Sequence, residues 1–226
     1  RDDYGHGTHI AGIIAGSGKG SGKDSRDDDG DDDHPASTRF IGMAPGVALI
    51  SMKVLGADGS GYVADVIDAI DFSIRFKNWL GIRVINLSLG HPAGEAYRDD
   101  PLALAVERAV AAGIVVVAAA GNMGQNAAGV PIVGAIISPA FTPGALTVGM
   151  LDTKRTVSRS DDEVSPRSSR GPVVDRGTPA PATPMDLPSN TLLKPDVVAP
   201  GVTIISPVGT ESWLWRTLPG RRVIGS

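Results

Sequence analysis

No cysteine occurs in the 226 residues, so disulfides are excluded, although that alone fixes no compartment. There is no apolar run approaching the ~20 residues that a membrane-crossing helix needs. Nor does a charged-then-apolar segment, of the kind that opens a secreted precursor, begin the chain. An excess of charge of one sign is missing too, with a formal net charge of −4 and a pI near 5.5. Nucleic acid and membrane are therefore not expected as partners. No Gly-x-Gly-x-x-Gly follows the first strand-like segment and no phosphate-binding lysine loop occurs, which excludes a doubly wound nucleotide-binding domain. Residue 1 is Arg and not Met, so the chain is expected to begin inside a longer product. What is present, 42% hydrophobic residues in a chain of this length, suffices for one core and one domain.

The most informative stretch runs from Asp2 to Gly16, Asp-Asp-Tyr-Gly-His-Gly-Thr-His-Ile-Ala-Gly-Ile-Ile-Ala-Gly. His6 stands between two glycines at the start of a segment that is almost all small or apolar, which suits a helix buried against a sheet. An imidazole at the end of a rigid element, with backbone close on both sides, can face substrate with one nitrogen and a carboxylate with the other. The competing readings are a satisfied core histidine and a zinc pair with His9, three residues on. The zinc reading is set aside, because no Cys exists and no nearby Glu completes a metalloprotease helix motif. The stretch closely resembles the histidine motif of the subtilisin-like (peptidase S8) serine proteases, roughly Asp-x-x-Gly-His-Gly-Thr-His-Val-Ala-Gly. The resemblance implies that His6 is a general base and His9 structural.

Two stretches read as insertions. From Asp24 to Asp33 seven aspartates surround Gly30, behind a Gly/Ser/Lys segment, and the acidic insertion is placed at 17–36. Calcium is the functional reading of such oxygen-rich chain. The spacing matches no EF-hand loop, and a like-charge run also repels itself into a solvated segment, so no cofactor is expected and calcium is kept as the alternative. A Pro-rich excursion, placed at 173–193, holds Pro179, Pro181, Pro184 and Pro188.

Elsewhere the pattern alternates. Ala48–Leu55 reads as a buried strand after the turn Gly42-Met43-Ala44-Pro45, and Gly56–Gly61 as a glycine-rich turn. Tyr62–Phe76 carries Val63, Val66, Ile67, Ile70 and Ile74 at helical spacing. Arg83–Gly90 is a strand ending on Ser88-Leu89-Gly90. Pro101–Ala112 is a helix stopped by Gly113, and Ile114–Asn122 is an apolar strand ending on an amide. Ala135–Ala140 and Ala145–Met150 read as paired strands, and Val202–Ser206 as one more. Continuous apolar strands alternating with helices predict an α/β fold with a mostly parallel sheet and helices on both faces. The resemblance makes this the subtilisin-like three-layer fold, expected here to be truncated at both ends.

Asn122 is the second chemical landmark. A side-chain amide beside a small-residue strand end can donate to a developing oxyanion without reorganising. Ala-Ala-Gly-Asn matches the family's oxyanion motif, while an Asn after Gly is, taken alone, only a turn. The resemblance further implies that Gly59-Ser60-Gly61 and Ser88-Leu89-Gly90 pair with extended substrate backbone. It also implies that Ala118, Ala119, Ala120 and Gly121 form a wall of the first specificity pocket. Ser168-Ser169-Arg170-Gly171-Pro172 is similar to a further family signature, read as structural, and Lys194–Gly201 is nearly the family consensus. No Gly-Thr-Ser, the family's nucleophile motif, occurs, and Asp2 and Asp3 lie too near His6 to be its triad aspartate. The chain is thus expected to be an inactive part of a serine endopeptidase, a monomer whose partner is a protein or peptide substrate. A non-catalytic, protease-like module that binds extended peptides is the alternative. The family resemblance places the protein outside the cytoplasm.

Overall fold

The computed structural model describes residues 1–18, 40–173 and 191–221, so the acidic run and almost all of the Pro-rich excursion lie outside the described residues. The chain divides into two units, Val63–Thr203 and a second made of Arg1–Tyr62 with Ile204–Ser226.

The larger unit is built on a five-stranded sheet. Strands β1 (Val84–Leu87), β2 (Val115–Ala119), β3 (Leu146–Asp152) and β5 (Val197–Pro200) run parallel in the order β1-β2-β3-β5, and β4 (Glu163–Val164) pairs antiparallel with the end of β3. Helices α2 (Val63–Leu80) and α3 (Pro101–Ala111) pack on each other, and α3 packs on β2. Their apolar stripes make the core: Val66 and Ile70 from α2, Leu102, Ala105, Val106 and Ala109 from α3, with Val116 and Ala118 from β2. The parallel pairing of β1 with β2 follows from the α3 crossover between them, whereas β2 reaches β3, and β3 reaches β5, through long connections with no helix among the described residues.

Helix α3 is terminated at both ends by local chemistry. Asp100 caps its start, accepting the Ala103 N–H at 2.9 Å, with Pro101 in the first turn where a missing N–H costs nothing. At the other end Gly113 (φ 78°) and Ile114 donate to the carbonyls of Val110 and Ala109, at 2.8 and 3.0 Å, a Schellman arrangement.

In the smaller unit, α1 (His6–Ala15) is closed at its C-terminal end by the turn Gly42–Pro45. Gly42, Met43 and Ala44 donate to the carbonyls of Gly16, Ile13 and Ile14 at 2.8, 2.9 and 2.7 Å. Carbonyls that a helix end leaves orphaned are thereby satisfied. The returning segment adds a short helix α4 (Trp213–Thr217), whose first N–H groups donate to the carbonyls of Asp3 and Tyr4 at 2.8 and 3.0 Å. Tyr4 and Trp213 stack with ring centroids 5.2 Å apart.

Four expectations need correction. Ala48–Leu55 forms no ladder among the described residues, and Leu49 and Ile50 are 47% and 46% exposed; an apolar sequence alone makes no strand without a partner edge. Ala135–Ala140 is not a strand paired with Ala145–Met150, because Pro139 has no N–H for a ladder and the chain turns there, Phe141 N–H donating to the Ile137 carbonyl. Val202–Ser206 is not a strand either: the extended pairing belongs to Val197–Pro200, and Thr203, at φ 57°, breaks it. Helix α1 buries no residue fully, being half-covered along its length.

Candidate active site

His6 opens α1 directly. The residue before it, Gly5, is the N-cap and sits at φ 104°, a conformation that favours glycine. A Cβ there would also meet Ser212 Oγ and Val208 Cγ2 at 2.8 Å, so position 5 is closed to side chains twice over. The first turn is organised by Asp2, whose carboxylate accepts the Gly5 N–H at 2.8 Å, the Thr8 N–H at 2.6 Å and the Thr8 hydroxyl at 2.8 Å. Burial pushes this carboxyl upward, but the hydrogen bonds from Gly5 and Thr8 together outweigh it and hold its pKa below the usual value; the charge of His6 works in the same direction. His6 itself is half-exposed. A second histidine, His91, stands 3.8 Å from the carboxylate of Asp100.

One turn on, His9 is half-buried, and burial holds its imidazole below the ordinary histidine value against a backbone hydrogen bond at Ile204 that works upward. Its carbonyl accepts the Ser206 hydroxyl at 2.6 Å, so His9 ties α1 to the returning segment. Among the described residues no group of three or more His, Cys, Asp or Glu side chains could hold a metal ion. In the same unit the turn Gly59-Ser60-Gly61 leaves Ser60 and Gly61 exposed, while Gly59 lies under the Tyr4 ring. Asp58 holds this turn by accepting the Ser60 hydroxyl and N–H at 2.7 and 3.0 Å.

In the larger unit, Asn122 lies just beyond the C-terminal end of β2, exposed. Ligands of open parallel sheets sit beyond such ends. Ser88-Leu89-Gly90 leaves the neighbouring strand β1, whose Leu87 pairs with Ala118, so the two predicted walls start side by side. Residues 137–138 join them: the Ile137 N–H donates to the Ala120 carbonyl at 3.2 Å, and Ser138 and His91 exchange backbone hydrogen bonds at 2.9 and 3.0 Å. Ala118 and Ala120 are buried, and Gly90 is exposed. The structure thus brings Ser88–Gly90 together with Ala118–Asn122 in one unit, and His6 with Gly59–Gly61 in the other.

The subtilase family model matches residues 1–221, nearly the whole chain. The chain belongs to the subtilase family. It is 37% identical to serine protease AprX of Bacillus subtilis (strain 168) over 98% of this chain and 43% of AprX. It is also 31% identical to subtilisin E of the same organism, over 84% of this chain and 41% of that protein. Among solved structures it resembles the S41 psychrophilic protease (TM-score 0.65, 31% identity, 94% of this chain and 57% of that one) and sphericase (TM-score 0.65, 28% identity, 92% and 56%). The chain spans less than half the length of these two curated subtilases.

Sequence reasoning missed some supporting residues of this subtilase. Asp100, which caps α3, also faces His91 next to Gly90; a capping Asp directly before Pro101 was the available signal. The buried serines of the 168–172 motif are more than filler. The Ser168 hydroxyl accepts the Met150 N–H at 3.0 Å, and Ser169 binds the backbone on both sides of Asn122, 47 residues away, which no local pattern signals.

Proposed function

We propose that this chain is the central part of a serine endopeptidase domain that cleaves peptide bonds through an acyl-enzyme. The observation that carries the reading is the placement of His6 in a subtilase, half-exposed at the opening of α1, with a first turn fixed by Asp2. In this reading the nucleophilic serine and the triad aspartate come from sequence on either side of the chain. His6 takes the serine proton as the hydroxyl oxygen attacks the scissile carbonyl, then gives it to the leaving amine. Asn122 donates from its side-chain amide to the tetrahedral oxyanion. A water deprotonated by His6 releases the acyl group. Gly59–Gly61 and Ser88–Gly90 supply backbone groups for an extended peptide, a mode that tolerates many sequences and leaves selectivity to pockets. The family resemblance adds an extracytoplasmic, monomeric protein.

The test uses the full-length gene product. His6→Ala is expected to lower kcat by about 10⁶ and Asn122→Ala by roughly 10²–10³, magnitudes taken over from subtilisins and not worked out for this chain. The isolated chain, residues 1–226, is expected to hydrolyse no casein and to bind no serine-directed phosphonate. A gene product that lacks the serine motif and binds extended peptides without cleaving them would overturn the enzyme reading.

A further inference from the structure

We propose that Ser169 is a positioning residue for Asn122, setting the orientation of the oxyanion donor without touching substrate. The proposal rests on the protease reading above, and it deepens one part of it. A residue's two backbone torsions are fixed when the peptide units before and after it are both held. The unit before Asn122 carries the Gly121 carbonyl, which accepts the Ser169 N–H at 3.0 Å. The unit after Asn122 carries the Met123 N–H, which donates to Ser169 Oγ at 3.0 Å. One residue therefore grips both sides of Asn122.

Three features make the grip rigid. Ser169 is 0% exposed, so water does not compete for its hydroxyl. Gly121 sits at φ 108° and packs so closely that a Cβ would lie 2.8 Å from Ser169 Oγ and from Ile137 Cγ2, leaving no room for a side chain between the two segments. Beyond the grip, the Gly124 N–H donates to the Arg167 carbonyl at 3.1 Å, so the segment carrying Ser169 runs alongside the Asn122 loop. The Asn122 side chain itself remains exposed. An electrostatic donor works to the extent that it is preorganised, and a misplacement of a fraction of an ångström forfeits most of its benefit.

The experiment is a double-mutant cycle in the full-length gene product. Ser169→Ala is expected to lower kcat about tenfold or more with KM changed less than about twofold, because the loss falls on the oxyanion, present only in the transition state. In an Asn122→Ala background the same change is expected to cost less than about threefold, since residues that act through one another are not additive. Ser169→Cys, which keeps the size and weakens the acceptor, is expected to fall between and guards against a poorly folded alanine variant. Equal losses in both backgrounds, or a loss confined to KM or to folded yield, would overturn the proposal. If the unaltered gene product shows no turnover, the protease reading fails by itself. The clamp is then read by ¹⁵N relaxation of the Asn122 and Met123 amides, which must loosen in Ser169→Ala; unchanged relaxation would overturn it.

Discussion

Asp2 holds three donors of one helical turn on a single carboxylate, and that turn begins with His6. Its pKa is depressed in the folded chain, so its contribution to stability is fully present above the unfolded value near 3.8 and is lost as pH falls through the lower folded value. Asp2→Ala is expected to cost about 1 kcal/mol at neutral pH, the usual worth of a helix-capping side chain. The difference from the unaltered chain should shrink toward zero as pH drops below 3.8, which urea unfolding across pH checks; a pH-independent difference would refute the capping account. The positions of His6 and Asn122 were legible in the sequence because a glycine precedes each, and Gly5 and Gly121 both sit at positive φ in space that admits no Cβ. Ser169 was not, because its role comes from a contact that only the folded chain makes.

At the scale of elements, those that carry their own boundaries were legible. Helix α3 shows an apolar stripe, a proline at its start and a glycine past its end, and it was expected to within a residue. Strands β1 and β2 lie within the segments expected for them. Segments 48–55, 135–140 and 202–206 were misread because a strand is defined by its partner, and apolar composition does not say whether one exists. The weight of the α3 stripe can be measured. Leu102, 1% exposed, is expected to cost about 2–5 kcal/mol when cut to alanine, from lost transfer energy and the cavity left behind. Leu104, on the same helix and 42% exposed, should cost less than about 0.5 kcal/mol. Both are read from urea midpoints at constant slope, and comparable costs would mean that α3 does not pack by this stripe.

For the molecule as a whole, the question is what a subtilase with these walls would select. In the proposed reading Gly90, Ala118, Ala119, Ala120 and Gly121 wall the first specificity pocket, and they bring no long or charged side chain to it. Selectivity for a basic side chain needs a carboxylate free to receive it. The carboxylate joined to this segment is Asp100, but one of its oxygens accepts the Ala103 N–H at 2.9 Å and the other faces His91 at 3.8 Å. A carboxylate committed to a helix cap would have to break that cap to bind a lysine or arginine, and the helix it caps holds the core. The full-length enzyme is therefore expected to cleave a peptide library broadly, with a preference for apolar and aromatic residues before the scissile bond. If these residues wall the pocket as proposed, they bring no charge to it, and kcat/KM for such peptides should change little with salt. Strict cleavage after Lys or Arg, with rates that fall steeply as salt rises, would show that an unpaired acidic group lines the pocket and would refute this reading of its walls.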